Sequence, residues 1–360
     1  CSSDLSASIE QDLSNENVSV RLEAVRRISN IPESERPKIF ELVSNDFNHE
    51  VREEAANLIA LCPNHYKIFI NDPDPKVRIA IIKNSIEIEK LIDDKEAFYN
   101  DLESLKSDSV AEVKRTLASV LYEHAKLCQD NQVIKTKIVQ LIELLLSDRH
   151  DDVRVAASLN IKQMTILFGF DFVFEQLYNS LHKMLTDNQW RVRNNALEFL
   201  FGLAVVCDKE FFDKNLFSFL MKFLKDPFFK VREYALKALP ALVNHFGQDW
   251  LQNKLIIELQ VLAQSPSFLD RETFLRCISA LVGFFPAQYQ SNYVFQPMIR
   301  MLHDPVHSVV FLAIELLSKH RESIHPFRRQ YELKPILETL VESYPPTIKE
   351  HASAFLAELQ

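Results

Sequence analysis

Two histidines with the spacing of metal ligands lie near the carboxyl-terminal end of the chain. The stretch HDPVH places His303 and His307 four residues apart, and on a helix that spacing directs two imidazoles toward one metal ion. Pro305 lies between them, and its missing N–H and fixed φ place the stretch in a turn instead. We therefore expect two solvated turn histidines and predict no metal site.

Other signatures of catalysis are absent from the sequence. It contains no G-x-S-x-G nucleophile elbow, no phosphate-binding loop and no C-x-x-C pair. The abundant carboxylates fall on what read as solvent-facing sides of helices. We therefore predict that the protein is not an enzyme and has no catalytic residue, no cofactor and no metal.

The composition indicates an all-helical protein. Only 4 of 360 residues are glycine, against 26 phenylalanines, so glycine-dependent turns and nucleotide loops are not expected. A net charge of −9 argues against general binding of nucleic acid or anionic membranes, and no apolar run reaches the roughly 18 residues of a membrane span. Five widely spaced cysteines indicate reduced thiols, hence a cytoplasmic or also nuclear location. A first residue Cys1 instead of Met indicates trimming or a fragment.

A repeat runs along the chain. Stretches such as HEVREEAA, WRVRNNAL and FKVREYAL share a Val-Arg-like pair, whose first residue serves as an anchor. The ten anchors are Val20, Val51, Val77, Val113, Val153, Val192, Val231, Asp270, Val309 and Ile348. Their spacings are 31, 26, 36 and 40 residues and then 39 residues five times. Such a constant period indicates one structural unit repeated.

Each unit reads as two helices joined by a short turn. Around Val231, apolar residues recur on one face of NLFSFLMKFLKD and on one face of KVREYALKALPALVNHFG, and Gly247 ends the second helix. In seven of the ten repeats, alanine lies four residues after the anchor, where a small side chain lets neighbouring helices approach closely. In seven of the ten repeats, aspartate lies five residues before the anchor, where we expect it to cap the second helix of the hairpin.

Aspartate, then Val-Arg, then alanine in hairpins of about 40 residues resembles the HEAT repeat, over nearly the whole chain. The resemblance implies an all-α solenoid of about ten antiparallel helix pairs stacked into a curved superhelix. The aspartates and arginines are expected to form an exposed ladder, with each rung worth at most ~1 kcal/mol. Deoxyhypusine hydroxylases, a HEAT-like enzyme class, hold two irons with repeated His-Glu pairs. The single pair His49-Glu50 argues against that activity.

The turns inside the hairpins differ between the two halves of the chain. The first five read NENVS, DFNHE, DPDPK, DSVAE and DRHDD, which are polar and mainly acidic. The next four read DNQWR, DPFFK, SPSFL and DPVHS, with apolar residues where solvent is expected. If the hairpins stack in register, these residues form a continuous apolar strip, and such strips mark interaction sites. The alternative is that each ring folds back onto its own helix as a hydrophobic staple. They are Trp190, Phe228, Phe229, Phe268, Leu269 and Val306.

The carboxyl-terminal half is similar to a known scaffold. From QWRVRNNALEFL through DPFFKVREYALKAL, SPSFLDRETFLRC and MLHDPV, it resembles the last five repeats of the scaffolding A subunit of protein phosphatase 2A. That resemblance implies that residues 151–360 hold a Ser/Thr phosphatase catalytic subunit and that residues 1–150 hold a regulatory B-type subunit. The implied contacts with the catalytic subunit are Trp190, Arg191, Phe228, Phe229, Phe268, Leu269, Val306 and His307. The implied contacts with the regulatory subunit are Asn48, His49, Asp151 and Asp152.

Departures from this family leave alternatives open. The family has fifteen repeats and this chain shows ten, so the geometry between the two partner sites must differ. A scaffold of the type 4 phosphatase, or a solenoid adaptor in transport or the cytoskeleton, would share the same features. Acidic turns disfavour a tubulin-binding adaptor, which needs basic ones. An obligate homo-oligomer is not expected.

Overall fold

The structure, a computed structural model, describes residues 2–204, 207–343 and 345–359, and within these ranges it contains helices and turns but no strand. The all-α solenoid class predicted from the sequence is confirmed. The chain forms two compact units, Cys1–Ala196 and Leu197–Gln360. This boundary reports packing, so the predicted functional division at residue 150 stays a prediction.

The helices of the first unit alternate between first and second members of a hairpin. They are α1 Ser2–Leu13, α2 Val18–Arg26, α3 Arg36–Ser44, α4 His49–Asn57, α5 Tyr66–Ile70, α6 Pro75–Leu91, α7 Lys95–Ser104, α8 Ala111–Leu127, α9 Gln132–Leu145, α10 Asp151–Phe168 and α11 Phe170–Leu185. The next helix, α12 Trp190–Ala204, begins in the first unit and ends in the second.

The helices of the second unit continue the same pattern, with first helices that are broken into shorter pieces. They are α13 Lys209–Asn215, α14 Phe217–Leu224, α15 Phe229–Phe246, α16 Gln248–Trp250, α17 Ile256–Ala263, α18 Phe268–Leu281, α19 Ala287–Gln290, α20 Gln296–Arg300, α21 His307–Lys319, α22 Pro326–Arg328, α23 Lys334–Ser343 and α24 Pro346–Glu358. Single π-helical turns connect α16 to α17, α19 to α20 and α22 to α23.

The second helices carry the stacking within each unit. In the first unit α2 packs on α4, α4 on α6, α6 on α8 and α8 on α10, and in the second α15 packs on α18, α18 on α21 and α21 on α24. Seven small residues make the close approach possible, and each is 0% exposed, as predicted. They are Ala24, Ala55, Ala157, Ala196, Ala235, Ala313 and Ala352. The repeat spacing in the sequence therefore identified the buried seam between hairpins correctly.

Glycine ends two second helices where the backbone requires it. Gly247 follows α15 with φ of +87° and ψ of 174°, and Gly169 follows α10 with φ of +85°. This extended conformation with positive φ is essentially restricted to glycine, because a Cβ would strain the backbone there. The predicted end of α15 at Gly247 is confirmed.

Candidate protein-docking surface

A ladder of buried ion pairs joins successive hairpins. Its cation is the residue after each anchor, and its carboxylate lies in the turn of the next hairpin. The pairs are Arg21–Asp46, Arg52–Asp72, Arg78–Asp108, Lys114–Asp148, Arg154–Asp187 and Arg271–Asp304. No side chain among them is more than 16% exposed, so the predicted solvent-exposed ladder is wrong. Removing one partner of a buried pair costs about 3–5 kcal/mol, far more than at the surface.

Each ladder aspartate also closes its own turn, as Asp304 does when its Oδ1 accepts the N–H of Val306 at 2.8 Å. Asp226, at the same position of its turn, accepts the N–H of Phe228 at 2.9 Å in the same way. Phe228 and Val306 are N-cap residues, so the predicted cap on amides inside the helix is wrong in this detail. From the other side, Arg232 Nη1 donates to the Asp226 carbonyl at 2.7 Å. The ladder residues therefore fix the turn on which the candidate side chains stand.

The predicted residues of the second unit lie at the starts of three consecutive second helices. Phe228, Phe229 and Phe268 are 46%, 50% and 42% exposed, so these rings are not buried as staples. The remaining residues are half-buried or, for the histidine, exposed: Leu269, Val306 and His307. Each of the first two turns therefore presents an apolar surface to solvent. Their role in binding a partner stays a prediction.

Trp190 and Arg191 lie at the start of α12, in the first unit. Trp190 was predicted in a turn, whereas the structure makes it the first residue of the helix. Its indole is half-buried, and the guanidinium of exposed Arg191 lies 5.2 Å from the ring centroid, a cation–π distance. The pair is thus held together at the surface of the first unit. Its continuity with the aromatic residues of the second unit stays a prediction.

The four weakly predicted amino-terminal residues have structural contacts of their own. Asn48 is the N-cap of α4 and accepts the N–H of Glu50 at 2.7 Å. The half-buried imidazole of His49 has Nδ1 3.7 Å from Asp74 Oδ2. Asp151 and Asp152 begin α10 and are exposed; Gln189 donates to Asp151 at 3.0 Å and lowers the pKa of that carboxyl. These contacts organise turns, and a role in partner binding stays a prediction.

Sequence reasoning missed Phe47. Its ring is 81% exposed, the largest exposed fraction among the large hydrophobic side chains that the structure describes. One face lies 4.3 Å from the Arg21 guanidinium, over the first rung of the ladder. The description of the first five turns as polar is therefore wrong for DFNHE, and the aromatic letter in that turn was the available signal.

A Ser-His-Glu cluster lies in the core of the first unit and was also missed, because its members come from α6 and α8. His124 Nε2 lies 2.7 Å from Ser85 Oγ, and His124 Nδ1 contacts the Glu89 carboxylate. All three residues are 0% exposed. The Ser85 oxygen also lies 2.6 Å from the Ile82 carbonyl, to which its hydroxyl donates. These contacts join α6 to α8 in the core of the first unit.

The two histidines of HDPVH lie at the two ends of a turn. His303 and His307 are both exposed, and His307 begins α21 while His303 precedes the turn. Over the described ranges, no group of three or more His, Cys, Asp or Glu side chains could hold a metal ion. In the same ranges, no helix is long and apolar enough to cross a membrane.

A groove of about 350 Å³ crosses α15, α18 and α21 in the second unit. It begins at Phe229 and Leu269, two of the predicted docking residues, and continues along the helices to Leu316 and Lys319. Its walls come from three hairpins, so no local stretch of sequence could have revealed it. The second unit thus combines exposed aromatic turns with an adjoining groove.

A known protein family matches part of the chain. The family described as PIK3R4-like, middle domain, matches residues 61–263. This range covers more than half of the chain and includes parts of both compact units. No curated protein matches the chain.

Solved structures of karyopherins share the fold. Kap121p, solved bound to Nup53p, has a TM-score of 0.63 at 14% identity over 99% of this chain and 41% of its own length. Kap95p, solved with RanGDP, has a TM-score of 0.66 at 13% identity over 98% and 48%. Importin beta has a TM-score of 0.60 at 13% identity over 98% and 49%. The chain therefore spans less than half the length of these proteins, and identities this low show the HEAT-type fold alone.

Proposed function

Because the chain belongs to the family of PIK3R4-like middle domains, we propose that it is a non-catalytic scaffold that binds other proteins through its hairpin turns. The observation that carries this proposal is the exposure of Phe228, Phe229 and Phe268 on turns held by the ladder. Burying the exposed halves of three such rings removes roughly 300 Å² of apolar surface from water. That area contributes about 7 kcal/mol before the entropy of association is subtracted.

We propose a catalytic subunit of the protein phosphatase 2A type as the partner of the second unit. The support is the resemblance of its turns to those of the phosphatase scaffold, including the Trp190-Arg191 pair at the end of the first unit. Tryptophan and arginine are the residue types most enriched at the energetic centres of protein interfaces. The amino-terminal turns, with Asn48 and His49, would then bind a regulatory or substrate-selecting protein.

A second candidate is a kinase-regulatory scaffold, which the family match favours over residues 61–263. In this reading the same apolar turns hold a kinase catalytic subunit. A transport adaptor is less well supported, because the likeness to karyopherins at 13–14% identity concerns the fold alone. A type 4 phosphatase scaffold would present the same turns and differ in the catalytic subunit bound.

A binding experiment with purified proteins tests the proposal. The biotinylated chain is immobilised, and a purified phosphatase 2A catalytic subunit is passed over wild type and a Phe228→Ser/Phe268→Ser variant. We expect binding to weaken at least about tenfold in the variant, since central aromatic contacts are each worth about 2 kcal/mol or more. The matched control is Ile257→Ser/Val261→Ser on α17, where both side chains are 54% exposed but lie outside the turns.

The outcomes separate the two candidates. Equal binding by wild type and both variants would reject the turn assignment, and no binding by wild type would reject this phosphatase as the partner. In the second case, material captured from native extract is assayed for kinase activity. Kinase activity retained by wild type and by the α17 control, but not by Phe228→Ser/Phe268→Ser, would support the kinase-regulatory scaffold.

A further inference from the structure

The ladder is interrupted at Arg232. Its Nη1 donates to the carbonyls of Asp226 at 2.7 Å and Pro227 at 3.0 Å, as the other ladder arginines do in their own turns. The next turn, however, has Ser265 where its counterparts have aspartate. Within the residues that the structure describes, Arg232 makes no ion pair. The edge of the guanidinium that elsewhere binds a carboxylate is therefore available.

Ser265 takes over one of the two tasks of the missing aspartate. Its Oγ accepts the N–H of Ser267 at 3.2 Å, which closes the turn as the ladder carboxylates do. Its hydroxyl donates to Asp270 Oδ2 at 2.7 Å, so it has no charged oxygen for Arg232. The turn therefore keeps its shape, but it has no carboxylate oxygen at the position where a ladder aspartate binds the arginine of the preceding hairpin.

The Arg232 side chain also lines the groove across α15, α18 and α21. Arg232 is one of four cationic side chains that line the groove, against two carboxylates. The cations are Arg232, Lys237, Arg276 and Lys319, and the carboxylates are Glu233 and Glu272. Glu233 is neutralised by Lys237 at 2.9 Å and Lys230 at 3.2 Å. The groove is thus basic in a chain whose net charge is −9.

The groove also has apolar walls. Phe229, Leu236, Leu269 and Leu316 line it between the charged groups. It crosses three helices, which at about 8–10 Å between neighbouring axes spans roughly 16–20 Å. An extended peptide covers that length with about five or six residues, whereas a small anion covers a fraction of it. Alternating side chains of such a peptide would face the apolar walls and the cations.

We propose that this groove binds an acidic, leucine-bearing peptide segment of a partner protein, and that one carboxylate of the segment occupies the vacant rung on Arg232. A carboxylate is the ligand that the other ladder cations already bind, as Arg271 binds Asp304 at 2.6 and 2.9 Å. The groove shares Phe229 and Leu269 with the apolar turns. The inference rests on Arg232 and the groove, so it does not depend on which catalytic subunit the turns hold.

The test measures peptide binding by fluorescence anisotropy with the full chain. The probe is a fluorescein-labelled peptide of repeated Leu-Asp-Glu triplets, and its control is the uncharged counterpart of repeated Leu-Asn-Gln triplets. We expect the acidic peptide to bind, its affinity to fall with added salt, and the uncharged peptide to bind at least about tenfold more weakly.

Two variants address the vacant rung. Arg232→Gln removes the guanidinium, and Ser265→Asp combined with Asp270→Asn supplies the missing carboxylate from within the chain without changing its net charge. We expect either change to weaken binding of the acidic peptide at least about tenfold, because a charge-assisted bidentate pair is lost or already occupied. Lys209→Gln, an exposed lysine outside the groove, is the matched control and should bind like wild type.

The second variant keeps the test decisive if Arg232→Gln does not fold, since it retains every ladder arginine. Wild-type affinity for the acidic peptide in Ser265→Asp/Asp270→Asn would overturn the proposal. Preference for a Leu-phosphoserine peptide over the Leu-Asp-Glu peptide would overturn the carboxylate as occupant. If Ser265→Asp/Asp270→Asn loses binding of the acidic peptide but binds the phosphatase catalytic subunit like wild type, the proposal is supported. The groove and the apolar turns then bind their partners independently.

Discussion

Arg52 donates two hydrogen bonds to Asp72 in the turn of the following hairpin, from Nε to Oδ2 at 2.7 Å and from Nη2 to Oδ1 at 3.0 Å. Both side chains are at most 10% exposed, and the bond to Asp72 raises the pKa of Arg52. The same arginine donates to the Asp46 carbonyl at 2.6 Å. One guanidinium therefore connects its own turn to the next, and repetition of this contact holds the candidate docking residues in place.

Replacing one partner of this buried pair should destabilise the fold strongly. For Asp72→Ala we expect the free energy of unfolding to fall by about 3–5 kcal/mol, because Arg52 is left buried without a carboxylate. Urea denaturation measures the difference. The control is Lys90→Ala, which removes an exposed ion pair with Glu87 and should leave the midpoint of urea unfolding unchanged. Equal, small effects in both variants would contradict the structural role of the ladder.

The Trp190-Arg191 pair should contribute to binding if the phosphatase proposal is correct. We expect Trp190→Ala/Arg191→Glu to weaken binding of the catalytic subunit at least about tenfold, through loss of a large ring and reversal of a charge. The single variant Trp190→Phe, with Arg191 unchanged, should keep much of the wild-type affinity, since it retains an aromatic face for Arg191. Surface plasmon resonance measures both. Undiminished binding by the double variant would show that Trp190 and Arg191 do not contribute to binding the catalytic subunit.

Stability should depend on pH through His320. Its imidazole is half-buried with Nε2 2.8 Å from Ser279 Oγ, and burial, aided by nearby Lys319, lowers its pKa below the ordinary 6.5. The unfolded chain binds the proton more readily, so the stability from the neutral imidazole is complete above pH 6.5 and is lost as the pH falls through the lowered pKa.

Urea denaturation between pH 8 and pH 5 tests this dependence in wild type and His320→Gln. The stability advantage of wild type over the variant should shrink as the pH falls, because glutamine does not titrate. A constant advantage of wild type over His320→Gln would show that its protonation is not coupled to folding.

The cysteines should differ in reactivity. Burial raises the pKa of all four described thiols, that of Cys128 to about 11, but Cys207 is half-buried whereas Cys62, Cys128 and Cys277 are buried. Cys1 lies outside the described residues, so a Cys1→Ser background is used. At pH 8, a thiol reagent should label Cys207 in the native protein and the other three thiols after unfolding in urea. Labelling of two or more thiols in native Cys1→Ser/Cys207→Ser would contradict their burial.

Two glycine substitutions should change stability in opposite directions. Gly247→Ala forces a Cβ into positive φ and should cost about 1–3 kcal/mol, although the added atom meets nothing within 4 Å. Gly202→Ala lies inside α12, where the added Cβ also meets nothing within 4 Å, and should stabilise by about 0.5–1 kcal/mol. Thermal unfolding measures both, and shifts of the same sign would show that backbone conformation is not the cause.

Much of the fold was predictable from local pattern. The end of α15 at Gly247 and the alanine seam follow from helical periodicity and the 39-residue repeat. The exposed aromatic residues of the turns could also be identified, since Phe228, Phe229 and Phe268 stand out in otherwise polar turns, while their role in binding stays a prediction. Phe47 was missed because its turn was judged by its charged neighbours, and the Ser85–His124 contact because 39 residues separate the two.

The sequence by itself determined how many hairpins form, which faces they bury and which residues their turns display, because these depend on neighbours within about one helical turn or one repeat. Only the tertiary structure decided that the ladder aspartates meet the cations of the preceding hairpins out of contact with water, and that Ser265 leaves Arg232 without a carboxylate beside a basic groove. Burial and pairing across hairpins depend on how separate helices pack, and packing brings together residues that no local pattern connects.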